Sequence, residues 1–186
     1  MVVAILVAGL VAGVAAAVVL GGNGQRAGGL ASAPGVGAAN DTVAKTELAS
    51  ATLVVEAAAG AAPGGYAALS PQALNASSGG LTFTSGPSSG PPQVSIATAP
   101  SAGRVAGPAP ANGIGGSPEA ISGTAVLALH SKSGTCFYVW LGTGGPLYGA
   151  QGAQHACQAS PLATPPTPAP ATATAIGWDR GAYPPT

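Results

Sequence analysis

"GTAVLALHSKSGTCFYVWLGTGGPLYGAQ", residues 123–151, is the stretch that decides the fold. Residues 123–130 read as one strand and residues 135–141 as a second, since both runs are rich in aliphatic, β-branched and aromatic side chains. Between them "SKSG", residues 131–134, is a tight connection in which Gly134 can take a positive φ at no steric cost. "GTGGP", residues 142–146, is a second turn, and "LYGAQ", residues 147–151, a third strand. Successive short strands joined by tight turns predict an antiparallel meander. Side chains alternate across a strand, so Phe137 and Val139 face one side of the sheet and Cys136, Tyr138 and Trp140 face the other.

A sheet needs a cover, and the sequence upstream offers one. "TVAKTELASATLVVEAAA", residues 42–59, contains no Gly or Pro and reads as a helix that Asn40, Asp41 or Thr42 can cap. Ala44, Leu48, Ala51, Val55 and Ala58 fall on one face at helical periodicity. Lys45, Thr52 and Glu56 fall on another, and Leu53 lies opposite the apolar face as a possible second contact. Gly60 and Pro63 end the helix. Ser70 before Pro71 is placed to cap a short helix. "LTFT", residues 81–84, and "VSIAT", residues 94–98, are strand candidates flanking the turn-rich "SGPSSGPP". Residues 99–117 have little to bury and read as an exposed insert. The tail from residue 161 is rich in Pro, Ala and Thr and reads as extended, with Trp178 able to dock back on the domain.

The first twenty residues, "MVVAILVAGLVAGVAAAVVL", hold no charge and no polar side chain. As a helix they would span roughly 30 Å, the thickness of a bilayer core. Gly9 and Gly13 form a G-x-x-x-G, and Ala8, Ala12 and Ala16 continue a ridge of small residues suited to close helix packing. The expected organisation is an assembly or transmembrane helix at residues 1–20, a Gly/Ala-rich linker at 21–40, a head at 41–160 with its insert at 99–117, and a tail at 161–186. A single-pass membrane protein with an extracellular head is the expected location.

Composition bounds the chemistry. Gly (30) and Pro (18) make up about a quarter of the 186 residues. The five basic and five acidic residues leave no net charge, so there is no electrostatic footprint for nucleic acid. "GTGG", residues 142–145, lacks the lysine of a phosphate loop, and "GNGQRAGG", residues 22–29, lacks a surrounding βαβ unit. The carboxylates form no close pair in sequence. No catalytic residue, metal site or cofactor is expected, and a serine nucleophile in a strand-to-helix elbow is not expected either. Asn40-Asp41-Thr42 and Asn75-Ala76-Ser77 match the N-glycosylation acceptor pattern.

Cys136 and Cys157 are the whole cysteine inventory. A disulfide between them is the leading reading. It would close a loop of about 20 residues, worth roughly 3 kcal/mol in the chain-entropy account, and would require an oxidising compartment. Two buried thiols, or a metal site shared with His130 and His155, are the alternatives. The pair has neither the C-x-x-C spacing of a redox dithiol nor the short ligand spacing of structural zinc.

In order along the chain, the apolar segment 1–20, the helix and Tyr-bearing loop of residues 44–76, "LTFTSG", "VSIAT", "SGTCFYVW" and "LYGA" with Cys157 resemble the type IV pilins and the pseudopilins of type II secretion. The family's leader, processing glycine and early glutamate have no counterpart here, since the first Glu is Glu47. The resemblance implies an α+β fold: a long N-terminal hydrophobic helix region with a small antiparallel β-sheet head of three to four strands. It implies a non-enzymatic subunit of a pilus or pseudopilus. Its partners would be further copies or related pilins in a helical filament, an inner-membrane assembly machinery and membrane lipid. The alternatives are an anchored extracellular domain that does not polymerise and, further off, an extracellular enzyme or binding module.

Overall fold

The computed structural model describes residues 34–100 and 121–186. A 28-residue helix, α1 (Pro34–Ala61), runs about 42 Å. A 3₁₀ turn (Gly65–Ala68) and a short helix α2 (Pro71–Asn75) follow. Six strands complete the chain: β1 (Thr82–Thr84), β2 (Gln93–Ala99), β3 (Thr124–His130), β4 (Cys136–Leu141), β5 (Leu147–Gln151) and β6 (Gly177–Asp179). They form one sheet in sequence order. β1 and β2 are parallel and the other neighbours are antiparallel.

This corrects the expected fold in two respects. The sheet has six strands and is mixed, where three to four antiparallel strands were expected. The extra strands are the three-residue edges β1 and β6, and β1 runs parallel because residues 85–92 carry the chain back to its start before β2 begins. Second, no long apolar helix is present among the described residues; α1 carries Asp41, Lys45, Glu47 and Glu56. The expected location is corrected with it. Among the described residues no helix is long and apolar enough to cross a membrane. Residues 1–20, to which that expectation was attached, lie outside the described residues, as do Ala8, Gly9, Ala12, Gly13 and Ala16 and most of the insert.

α1 extends back to Pro34, earlier than residue 42, and nothing between the two forces a stop. Asn40, Asp41 and Thr42 therefore lie inside the helix and cap nothing. Thr42 instead returns its hydroxyl to the Ala38 carbonyl at 2.9 Å. The inward face is Ala44, Leu48, Ala51, Val55 and Ala59, each 2% exposed or less. It packs on the sheet face made by Ile96, Leu127, Leu129, Phe137, Val139 and Leu141. α2 is capped as expected, with the Ser70 hydroxyl accepting from the Ala73 amide at 3.3 Å.

All six residues of β4 are buried, and so are the first six of β3. Strands covered on both faces read as continuous apolar runs, which is why "TAVLAL" and "CFYVWL" show so few polar breaks. The second face carries Val126, Ala128, Cys136, Tyr138, Trp140 and Leu147. Large residues stand beside small ones across the ladder: Tyr138 lies between Ala128 and Gly149. Gly149 gives its neighbours room, because a Cβ there would lie 3.0 Å from Ile176 Cγ2 and from two Trp178 ring carbons, tighter than an ordinary contact. Gly134 takes φ 93° in the β3–β4 turn, as its position predicted.

Candidate functional site

The tail read as extended is the second layer of the protein. From Cys157 it crosses the outer sheet face, burying Ala159 and packing Leu162 and Ile176 against the Trp140 cluster. The Leu162 carbonyl accepts from Trp140 Nε1–H at 3.1 Å and from the Thr124 hydroxyl at 2.6 Å. The chain then joins the sheet as β6 and turns the edge to reach the helix side. There Tyr183 stacks edge-on with Phe137 and Tyr148, at centroid distances of 5.2 and 5.1 Å. The Lys45 ammonium from α1 lies 4.7 Å from the Phe137 ring centre and 5.5 Å from that of Tyr183. Burial, with Tyr148 beside it, holds the Tyr183 phenol well above its usual range.

Cys136 and Cys157 form the disulfide, with Cα atoms 5.5 Å apart and both residues fully buried. It fastens the start of the tail to β4. Ser88 reinforces it through paired backbone hydrogen bonds with Cys157, of 2.6 and 3.1 Å. Ser88 also sits in Gly86-Pro87-Ser88-Ser89-Gly90, which has the G-x-S-x-G spacing and corrects the reading that the chain lacks it. The surroundings are not those of a nucleophile. Ser88 is fully buried, its hydroxyl donates to the Gln93 carbonyl and accepts from the His130 amide at 3.2 Å, and a loop leading to β2 contains it. The His130 ring is engaged with the Gln154 carbonyl at 2.9 Å and His155 is exposed. Among the described residues no three metal-ligating side chains converge.

A polar clamp holds α1 to the β3–β4 turn. The carboxylate of Asp41 accepts from the buried Ser131 hydroxyl at 2.7 Å and from the Ser133 hydroxyl. Ser133 in turn accepts from the Thr135 amide at 3.3 Å. Replacing Asp41 with Ala strips the partner from a buried donor, a change worth about 1–3 kcal/mol. The expected result is a midpoint shift of that size in denaturant unfolding with the slope unchanged.

Both sheet edges are closed. On β1, Phe83 turns its amide and carbonyl outward, and the Asn75 side chain takes both, accepting at 2.6 Å and donating at 3.0 Å. On β6, Trp178 exchanges two backbone hydrogen bonds with Ala169, of 2.8 and 3.0 Å. Neither edge offers the unpaired row of groups that strand addition needs.

The outward face of α1 is different. Val36, Ala39, Val43, Thr46, Ser50, Leu53 and Ala57 follow one another at alternating spacings of three and four, and every one is exposed. That is the spacing of a coiled-coil seam. Val36, Val43 and Leu53 are 54, 52 and 68% exposed, the large apolar residues most open to solvent among the described residues. The hydroxyls on the seam are already satisfied, Thr46 donating to the Thr42 carbonyl at 2.9 Å and Ser50 to the Thr46 carbonyl at 3.1 Å. A shallow groove of about 440 Å³, lined by Leu53, Val54, Ala57, Ala58 and Ser77, opens beside its end. The sequence reading isolated Leu53; Val43, Thr46, Ser50 and Ala57 lie in the same predicted helix, and Val36 and Ala39 needed it to extend back to Pro34.

Comparison with known protein families, characterised proteins and solved structures found no match to this chain.

Proposed function

We propose that the chain is a non-enzymatic structural subunit of a type IV pilus or pseudopilus, in which copies or related subunits meet through the outward seam of α1. The observation that carries this reading is the exposed 3–4 spacing from Val36 to Ala57 on a helix whose opposite face is already buried. Two further features support it. The seam's hydroxyls are internally bonded, so covering them strands no donor. Among the described residues the sheet edges are capped, so strand addition does not compete with the helix as a surface for self-association. Helically related copies make a heterologous contact that extends without closing.

The test is a photo-cross-linking amino acid in place of Leu53, with His155 as a control position, in protein expressed in its own host. Multimer ladders from position 53 and not from 155, in sheared surface filaments seen by electron microscopy, are the expected result. Leu53→Glu is expected to lower filament yield by about tenfold while moving Tm by no more than about 2 °C, because the site is open surface. A protein that stays monomeric in sedimentation at every concentration, with no cross-link from position 53, overturns the reading.

A further inference from the structure

The tail that crosses the outer sheet face is fastened at two places and loose between them. At the first, the Leu162 carbonyl accepts from Trp140 and Thr124. At the second, Ala169 exchanges two backbone hydrogen bonds with Trp178. The stretch between, "ATPPTP" at residues 163–168, makes no hydrogen bond among the described residues, and all of it except Pro166 is exposed.

Thr164 and Thr167 carry the hydroxyls of this stretch. Each precedes a proline, Pro165 and Pro168, which biases it toward extended backbone. An extended chain is gripped by another protein through free backbone groups and alternate side chains, and here both are open. The tail's other hydroxyls differ. Thr172 Oγ1 accepts from the Ala175 amide at 2.9 Å and from the Thr174 amide at 3.3 Å, and the Thr174 hydroxyl lies 3.5 Å from it. Ser160 also precedes a proline, but the chain is pinned to the sheet on either side of it. The Ala159 amide donates to Ser95 Oγ at 3.0 Å, and the Leu162 carbonyl is bonded as above.

We propose that Thr164 and Thr167 are acceptors for O-linked neutral sugars. A segment rich in Pro and Thr has the composition of O-glycosylated chain, and the hydrogen bonding narrows the acceptors to these two. In the reaction the threonine oxygen attacks the anomeric carbon of a sugar carried on a phosphate leaving group. The new C–O bond forms as the bond from that carbon to the phosphate oxygen breaks. The phosphate leaves with the electron pair, and the hydroxyl proton passes to a base of the transferase. Phosphorylation is the competing modification of a Thr-Pro pair. A phosphothreonine gains from nearby Arg or Lys, and residues 156–178 contain neither. A neutral sugar needs no counter-ion. It also suits a chain with no net charge, which lacks the mutual repulsion that keeps proteins dispersed. The acceptors lie on the face opposite the α1 seam, and the proposal stands whether or not the chain assembles.

The experiment is intact-mass measurement on the full-length chain purified from its own host, with fragmentation that keeps side-chain modifications in place. Masses above that of the polypeptide by whole sugar residues are expected, located at Thr164 and Thr167. The paired substitution Thr164→Val and Thr167→Val is expected to abolish them, with Tm moved by no more than about 2 °C because both sites are open surface. Thr172→Val with Thr174→Val is expected to leave them in place. A wild-type chain of unmodified mass overturns the proposal. So do increments that a phosphatase removes, or sugars carried at Ser160, Thr172 or Thr174 in preference to Thr164 and Thr167.

Discussion

Trp140→Ala is expected to cost about 3–5 kcal/mol, the range for removing a large buried aromatic. For a chain of this size that is a fall in Tm of roughly 6–20 °C. Trp140 is 1% exposed and stands at the centre of the outer cluster, with Val126 and Leu147 as its ladder partners. The loss is dominated by the cavity. The Leu162 carbonyl that accepts from its indole keeps the Thr124 hydroxyl as a second donor, so no buried acceptor is orphaned. Trp140→Phe retains most of the volume and gives up one hydrogen bond, so its cost falls to about 0.5–1.5 kcal/mol. Calorimetry on both variants separates the two contributions. Equal losses would show that the hydrogen bond, and not the packing, fastens the tail.

Replacing Cys136 and Cys157 together by Ser is expected to cost about 2–5 kcal/mol. The bond ties the tail to β4 at the point where the chain begins to cross the outer face. Without it, the paired backbone contacts of Ser88 with Cys157 and the hydrogen bond from the Ala159 amide to Ser95 Oγ are left to hold that crossing. Two readouts check this. Alkylation with intact-mass measurement finds no free thiol in the folded wild type until it is reduced. Hydrogen exchange in the double variant quickens first at residues 157–162 and in β6, because the tail lifts from the sheet before the α1 side of the core opens. An unchanged melting transition would remove the disulfide from the list of structural supports.

Comparison of the two layers explains why one was legible and the other was not. The strands at residues 124–151, their turns and the assignment of Phe137 and Val139 to one face and Cys136, Tyr138 and Trp140 to the other follow from period-two alternation and from Gly134. The buried stripe Ala44, Leu48, Ala51 and Val55 follows from the helical period, and the Ser70 cap from the proline after it. These are local signals, in which each residue's neighbours in sequence carry the information.

The tail has no such signal. Its prolines remove backbone donors and its Ala and Thr residues show no period, so it reads as extended chain, with Trp178 alone marked as able to dock back, which it does. Its ordering comes from partners far away in sequence: Trp140 and Thr124 for Leu162, Gly149 for Trp178, Phe137 and Lys45 for Tyr183. The start of α1 was misplaced for a related reason. Gly35, Gly37 and the polar run Asn40-Asp41-Thr42 look like a linker and a cap, whereas the turn at Ser131 and Ser133 gives Asp41 a tertiary partner and lets the helix run through it. β1 and β6, at three residues each, are too short to show alternation, and their membership in the sheet depends on pairing with β2 and β5. The sequence by itself determined the central strands, their two faces and the buried stripe of the helix, because side-chain period is a local property. Only the tertiary structure decided the second layer, the closed edges and the extent of α1 beyond residues 42–59, because each depends on contacts between segments that sequence distance keeps apart.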